Sequence, residues 1–480
     1  MANGQITWIG RGEAPASALP PRAVRIDCEG GALMPGFVDA HCHPLALGAA
    51  LTAADCRPAA ARSIPEIQRQ LALWAAASPN ARHVRGFGYD ELLLHERRHP
   101  NRHDLDVAVR DRPVVLTHGS GHALVLNTAG LRAAGITESA DEPARGFIDR
   151  EAETGAPSGL LLEMGSHVSR RLGRPTDGEV RRYASAASEA LTLLGVTSVV
   201  DAGPSNDVSR FELWAELRKD QTFQPRLTVM QAPGSQIPEA EIFRLAAWVD
   251  AGPAKIVLIR GENGGLIPTP AELDEMVASA LAAGPGVAVH AVEAESILMV
   301  CRVFEEARSR LDPRLLLTPA HRRIEHAAEA TPEVCAAIKR CGATVVSQPG
   351  FIYGRGDRYL AAVDAGGWPV DHLYPLRTLL DQGIPVMFGS DAPYGPVSPL
   401  EAIYGAVTRT SASGRPVGRS QAIGTTEALV RSVNNSSPLR AGSPCDLVVL
   451  SEDPQSVQPE RLRDITVRLT IIAGEIVWGQ

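Results

Sequence analysis

Five residues of this chain are of the types that hold a transition-metal ion: His41, His43, His290, His326 and Asp391. The first two close the run Leu33-Met-Pro-Gly-Phe-Val-Asp-Ala-His-Cys-His43. On a strand, residues i and i+2 face one side, so His41 and His43 aim two imidazoles at one point while Cys42 points away. Neutral imidazole is the usual nitrogen ligand of zinc and its neighbours. Exposed strands also carry such pairs without metal, so the motif needs context. Gly286-Val-Ala-Val-His290 and Arg322-Arg-Ile-Glu-His326 each end a strand candidate in a histidine, and Ile384-Pro-Val-Met-Phe-Gly-Ser-Asp391 ends one in an aspartate. Taken singly, each histidine is ordinary in a core or loop, and Asp391 could cap a helix. Together they stand at the same end of four strands, which in a barrel is where chemistry is placed.

The elements that must position them alternate in type. Strand candidates fall at 33–39, 196–201, 225–231, 254–260, 286–290, 322–326, 343–347 and 384–389. Amphipathic helices fall between them at 178–194, 270–283, 295–310 and 331–340. Thr269-Pro and Thr331-Pro supply N-caps with proline at the first helical position. Alternation of this kind predicts parallel strands with crossover helices. Eight strands fit an α/β fold of the (β/α)8 TIM-barrel type, with a doubly wound open sheet as the alternative. Residues 44–195 are far too long for a loop and predict an insert with structure of its own, a helix at 63–77 and strands near Val84–Phe87 and Pro113–His118. The two ends, 1–32 and 440–480, read as turn-bounded short strands, among them Gln5–Ile9 and Ala23–Ile26. They predict one small discontinuous β domain flanking a barrel at 33–439.

Only three lysines, Lys219, Lys255 and Lys339, stand among 47 basic residues. Lys255 begins the fourth strand candidate. A lysine amine that takes up CO2 becomes a carbamate, which can bridge two cations as a carboxylate does; a guanidinium stays protonated and cannot. A lysine snorkelling at a strand edge is the ordinary reading, and Glu262 and Glu163 are rival carboxylates. A net charge of −8 argues against a nucleic-acid surface, and no run approaches the length of a membrane span. Seven scattered cysteines without C-x-x-C, behind an opening with no signal-peptide pattern, predict reduced thiols in the cytoplasm.

The set Pro35-Gly-Phe-Val-Asp-Ala-His-Cys-His43, His290-Ala, Arg323-Ile-Glu-His326 and Gly389-Ser-Asp-Ala-Pro393 resembles the amidohydrolase superfamily of metal-dependent hydrolases. Gly121-His-Ala-Leu-Val-Leu-Asn127, Asp104-Leu-Asp106 and Tyr374-Pro-Leu-Arg-Thr-Leu-Leu-Asp-Gln-Gly383 are similar to its branch containing N-substituted formamide deformylase. The resemblance implies a deformed barrel, a small β-sandwich from both termini, and an insert covering the site. It implies that His41 and His43 bind the more buried metal and His290 and His326 the second. Asp391 is then ligand and proton shuttle, Lys255 the carboxylated bridge, and His122 a substrate contact. Two departures stand near the site: Arg260-Gly-Glu262 replaces an acidic-Gly turn, and Val292-Glu293 follows His290-Ala291 where Gly-Asp is usual.

The chemistry expected is hydrolysis of a C–N bond, amide, N-acyl or N-formyl, in a small molecule, using one or two divalent metals, most often zinc. Tyr89, His122 and Gln348 in the loop after the seventh strand are the expected substrate contacts, although Gly86-Phe-Gly-Tyr89-Asp90 would serve equally as a packed turn. A mononuclear deaminase of a cyclic amidine, with Glu293 or Glu295 as acid, is the second reading. A catalytically silent binding or regulatory protein is the third and predicts a lost ligand. Ser120 in Thr117-His-Gly-Ser-Gly-His122 lacks the strand–turn–helix elbow of a serine nucleophile. Such barrels often associate, and a homodimer is carried as an option.

Overall fold

In the computed structural model, all residues are described except 13, 16–22, 141–145, 236, 262–263, 311–321, 365–368, 434–438 and 480. Glu262, one rival to Lys255, lies outside the described residues. The chain divides into two units, one of Met1–Pro44 with Ser188–Gln480 and one of Leu45–Ala187.

The first unit contains the barrel. Its strands are β1 (Phe37–Cys42), β2 (Val196–Asp201), β3 (Arg226–Gln231), β4 (Asp250–Val257), β5 (Val287–Ala291), β6 (Arg322–His326), β7 (Thr344–Ser347) and β8 (Val386–Phe388). They form one sheet in the order β8-β7-β6-β5-β4-β3-β2-β1, parallel throughout. The sheet nearly closes, leaving a seam between β8 and β1. Every residue of β6 and β7 is buried, as expected of strands covered on both faces. The crossover helices start where the sequence predicts. The hydroxyls of Thr269 and Thr331 accept the N–H of Glu272 and Val334, and each helix opens on proline.

The first strand candidate, 33–39, is two strands. Ala32–Pro35 pairs antiparallel with Leu447–Leu450, and β1 begins at Phe37. Gly36 makes the break: a Cβ there would stand 2.2 Å from the Thr197 side chain, and its N–H donates to Asp446 O at 2.9 Å. Ala32–Pro35 belongs to a four-stranded antiparallel sheet with Leu447–Leu450, Val467–Ile472 and Glu475–Gly479. The expected strands Gln5–Ile9 and Ala23–Ile26 do not form. Gln5 makes isolated bridges to Ala2 and Pro444, and Val24 is 85% exposed.

The second unit is built from the insert and carries its own six-stranded sheet. Ala54–Asp55, Val84–Tyr89 and Val114–His118 run parallel, while Ala123–Leu126, Pro157–Leu162 and Phe147–Arg150 continue antiparallel. The helix Ile64–Ala77, capped by Ser63, buries Ile67 and Leu71 with Leu105, Val114, Leu116 and Val125 in one core.

At the seam the β8 backbone passes directly over β1. A Cβ on Gly389 would meet His41 Cβ at 2.6 Å and His41 N at 2.7 Å, so neither strand could stay in place. Gly389→Ala is expected to cost about 1–3 kcal/mol, the range for overpacking a filled interior. Gly178→Ala is the control: it lies in a helix with nothing within 4 Å and should gain up to about 1 kcal/mol. Urea unfolding of both variants measures the difference.

Candidate metal centre

The strand ends bring all five predicted ligands together. His41 Nε2 lies 3.5 Å and His43 Nε2 3.2 Å from Asp391 Oδ1. Ring centroids of His41 and His326 are 4.9 Å apart, and those of His290 and His326 4.3 Å. Ligand atoms of His41, His43 and Asp391 all fall within 4.8 Å of one another, as those of a shared ion would.

Two backbone irregularities make this possible. Successive strand residues face opposite sides, yet both Glu325 and His326 are buried, with side chains reaching His41 Nδ1 and the His41 ring. His326 and Ala327 take left-handed conformations at φ 76° and 46°, which swing the imidazole round at the strand end. Asp391 does the same at φ 55°, where its N–H donates to His41 O at 2.7 Å. Non-glycine residues hold such angles at a cost of order 1–3 kcal/mol, which concentrates at functional sites.

The electrostatics favour neutral imidazoles around an ionised carboxylate. Burial, aided by Lys255, lowers His41 to about 4, and burial lowers His326 to about 3. Burial alone would raise Asp391, but its hydrogen bond with His43 and the neighbouring histidines hold it well below the ordinary carboxylate range. Neutral imidazole and carboxylate are the protonation states a divalent cation requires.

Behind these groups stands a second layer. Glu325 meets His41 Nδ1 and accepts from Arg323 Nε at 2.8 Å and Nη2 at 3.2 Å. Burial opposes ionisation of Glu325, but Arg323, His41 and Lys255 hold it well below the ordinary range. An ionised acceptor requires the His41 proton on Nδ1 and leaves Nε2 facing the site. Gln348, expected to touch substrate, is fully buried; its Nε2 donates to Val346 O at 3.1 Å and its Oε1 lies 2.9 Å from His326 Nδ1. Asp39 accepts from Ser390 N at 2.9 Å and Ser390 Oγ at 2.5 Å, tying β1 to the turn that carries Asp391. Burial raises Asp39 to about 6 against those bonds. Sequence reasoning gave Asp39 no role, although it shares a face with His41 two residues on. It also passed over Tyr394, whose ring packs edge-on against His43 at 5.6 Å.

Lys255 points into the barrel one register step below His290: Lys255 pairs with Ala288 and Val257 with His290. It is 2% exposed, and its Nζ has no hydrogen-bond partner among the described residues. Burial brings the amine down to about 8, against Glu325 and Asp391. A buried amine without an acceptor is costly, and conversion to a carbamate would give it the oxygens a pair of cations needs. These residues therefore fit one or two divalent ions.

The remaining expected site residues lie in the insert unit or are already engaged. His122 Nδ1 is 2.7 Å from Glu163 Oε1, both exposed. Tyr89 is buried, its hydroxyl 2.9 Å from His99 Nδ1. Glu295 is paired with Arg260, and Glu293 accepts from Ser296 at 3.3 Å. A second cluster, Asp90, Glu91 and His118, sits at the ends of the insert's parallel strands. There His118 Nδ1 accepts the Ser120 N–H at 3.0 Å, which leaves the proton on Nε2 and makes the ring a poor ligand.

A family model for the amidohydrolase family matches residues 25–478. The chain belongs to the amidohydrolase family. Among amidohydrolase relatives, it is 26% identical over 523 residues to N-substituted formamide deformylase of Arthrobacter pascens, covering 99% of this chain and 93% of that one. A metal-dependent hydrolase from Pyrococcus furiosus superposes with a TM-score of 0.68 at 22% identity, covering 95% of each chain. Another from Pyrococcus horikoshii OT3 gives 0.67 at 21% identity, covering 91% and 89%. As an amidohydrolase-family chain it is a hydrolase, and the two structures share its fold. Among the described residues no helix is long and apolar enough to cross a membrane.

The lowered pKa of Lys255 has a definite sign. Folded, the amine gives up its proton near pH 8, whereas unfolded it holds it to its ordinary value of 10.5. Between those values the unfolded chain binds more protons, so stability rises with pH through the window and is least below 8. Metal-free wild type should gain in urea midpoint relative to Lys255→Met between pH 8 and 10. Parallel curves would mean that the lysine is not buried as an amine.

Proposed function

We propose that this amidohydrolase-family chain hydrolyses the C–N bond of a small amide, N-acyl or N-formyl amine, using one or two divalent ions, with zinc the best match to the ligands. The observation that carries the reading is the convergence of four imidazoles and an ionised carboxylate around a buried lysine amine with no acceptor among the described residues. His41, His43, His290, His326 and Asp391 would hold the ions, with Lys255, once carboxylated, between them. Bound there, such ions acidify water and polarise a carbonyl.

The residues do the rest. Asp391, ionised and hydrogen-bonded with His43, accepts the proton of the attacking water and returns it to the leaving nitrogen. The amide C–N bond breaks, the water oxygen stays on the acyl carbon, and the products are a carboxylate and an amine. With Nδ1 of His41 and His326 turned to Glu325 and Gln348, their Nε2 lone pairs would be taken up by the ions and not by that proton. Tyr394 packs edge-on against the His43 ring and flanks the site there. A full ligand set weighs against a silent binding protein. The pairing of Glu295 with Arg260 removes one of the two acids the deaminase could use near β5 and leaves Glu293 as its candidate. The choice of N-formyl or N-acyl amines as substrate leans on the name of the Arthrobacter pascens relative.

Protein prepared with zinc and without chelator is expected to hold close to two metals per chain, falling to one or none in Lys255→Ala. It should release amine from N-formyl or N-acyl amines, and Asp391→Asn should lower kcat by about 10²–10⁴-fold with metal retained. Elemental analysis and an amine-release assay read both. A wild type holding no metal would sink the reading, and a single metal indifferent to Lys255→Ala would return the lysine to a structural role.

A further inference from the structure

Arg323, Glu325 and Gln348 take no part in the chemistry above, yet all three are buried at the core of the site. Two of them meet Nδ1 of a histidine in the cluster, Glu325 that of His41 and Gln348 that of His326. Glu325 accepts the hydrogen bond from His41 Nδ1–H, and both Nε and Nη2 of Arg323 donate to it. Arg323 Nη2 also donates to Ala40 O at 2.8 Å, so the pair is bolted to the strand that carries His41. Gln348 has no choice of orientation: with Nε2 spent on Val346 O, only Oε1 remains for His326 Nδ1.

The two acceptors differ in kind. A carboxylate draws the imidazole proton toward itself in a charge-assisted bond about twice as strong as a neutral one. The ring it holds becomes the more basic ligand through Nε2. An amide oxygen fixes the tautomer but adds little to basicity.

We infer that Glu325 and Gln348 are positioning residues that make the two halves of the metal centre unequal, Glu325 tightening the His41/His43 half and Gln348 holding the His290/His326 half more weakly. The inference rests on the metal-centre reading. Arg323 supports it by donating Nε and Nη2 to Glu325, which holds the carboxylate against His41.

Stepwise removal of zinc from the intact protein by a competing chelator, followed by metal analysis, tests the assignment. Wild type should show two separable steps. Glu325→Gln should weaken the tighter step by about 10–100-fold, the usual effect of losing an outer partner, and leave the weaker step within a few-fold. Gln348→Met should do the reverse, with a smaller factor. Should Glu325→Gln fail to fold because Arg323 loses its anion, the double variant Arg323→Met/Glu325→Gln removes both charges and carries the same expectation. Cobalt substitution adds a second readout, since only the perturbed half should change its visible spectrum. Unchanged steps in both variants, or equal weakening of both steps in each, would overturn the positioning roles. A wild type that takes up no zinc overturns instead the reading beneath them.

Discussion

The fold depends on how a parallel barrel closes without a final ladder. β8 is three residues long and ends before it can pair with β1. Closure falls to bonds beyond the strands: Asp391 N to His41 O, His43 N to Ala392 O, and the Asp39 carboxylate spanning to Ser390. These contacts involve or adjoin His41, His43 and Asp391. The same few atoms that finish the barrel therefore also set the distances of the ligand triad, and Gly389 is the residue that lets the two backbones come close enough.

Inside that closure lies a charged layer, which an interior tolerates only when its charges compensate. Arg323 and Glu325 neutralise each other and still reach His41 and Ala40, while Lys255 stands nearby as the unsatisfied member. Removing a single partner from such a layer leaves a bare charge in low dielectric, the costly case for buried ion pairs. The left-handed turns at His326 and Asp391 add strain in the same place. Stability and site geometry are drawn from one set of residues here, so substitutions in this layer act on both.

Much of this was legible in the sequence. His41 and His43 announce themselves by period-two spacing, and the ends of the strand candidates give His290, His326 and Asp391 without any knowledge of distance. Thr269 and Thr331 mark two helix starts correctly. What the pattern cannot carry is orientation. Alternation places Glu325 on the opposite face from His326, and only the left-handed turn at His326 brings both inside. Gln348 looks like a loop residue free to meet substrate, yet its amide is fixed between Val346 and His326. Gln5–Ile9 and Ala23–Ile26 have strand composition, yet among the described residues neither joins a sheet, and composition says nothing of neighbours. In 33–39 the break at Gly36 comes from the Thr197 side chain, more than a hundred residues away.

That break has a temporal consequence. Ala32–Pro35 leads through one glycine into the strand that carries His41, and among the described residues its ladder partner is Leu447–Leu450. A ribosome releases the chain from its amino end, and domains generally fold as they emerge. The segment just ahead of His41 stays without this partner until synthesis has reached Leu450. The sheet that holds this segment thus joins the earliest strand among the described residues to the three latest.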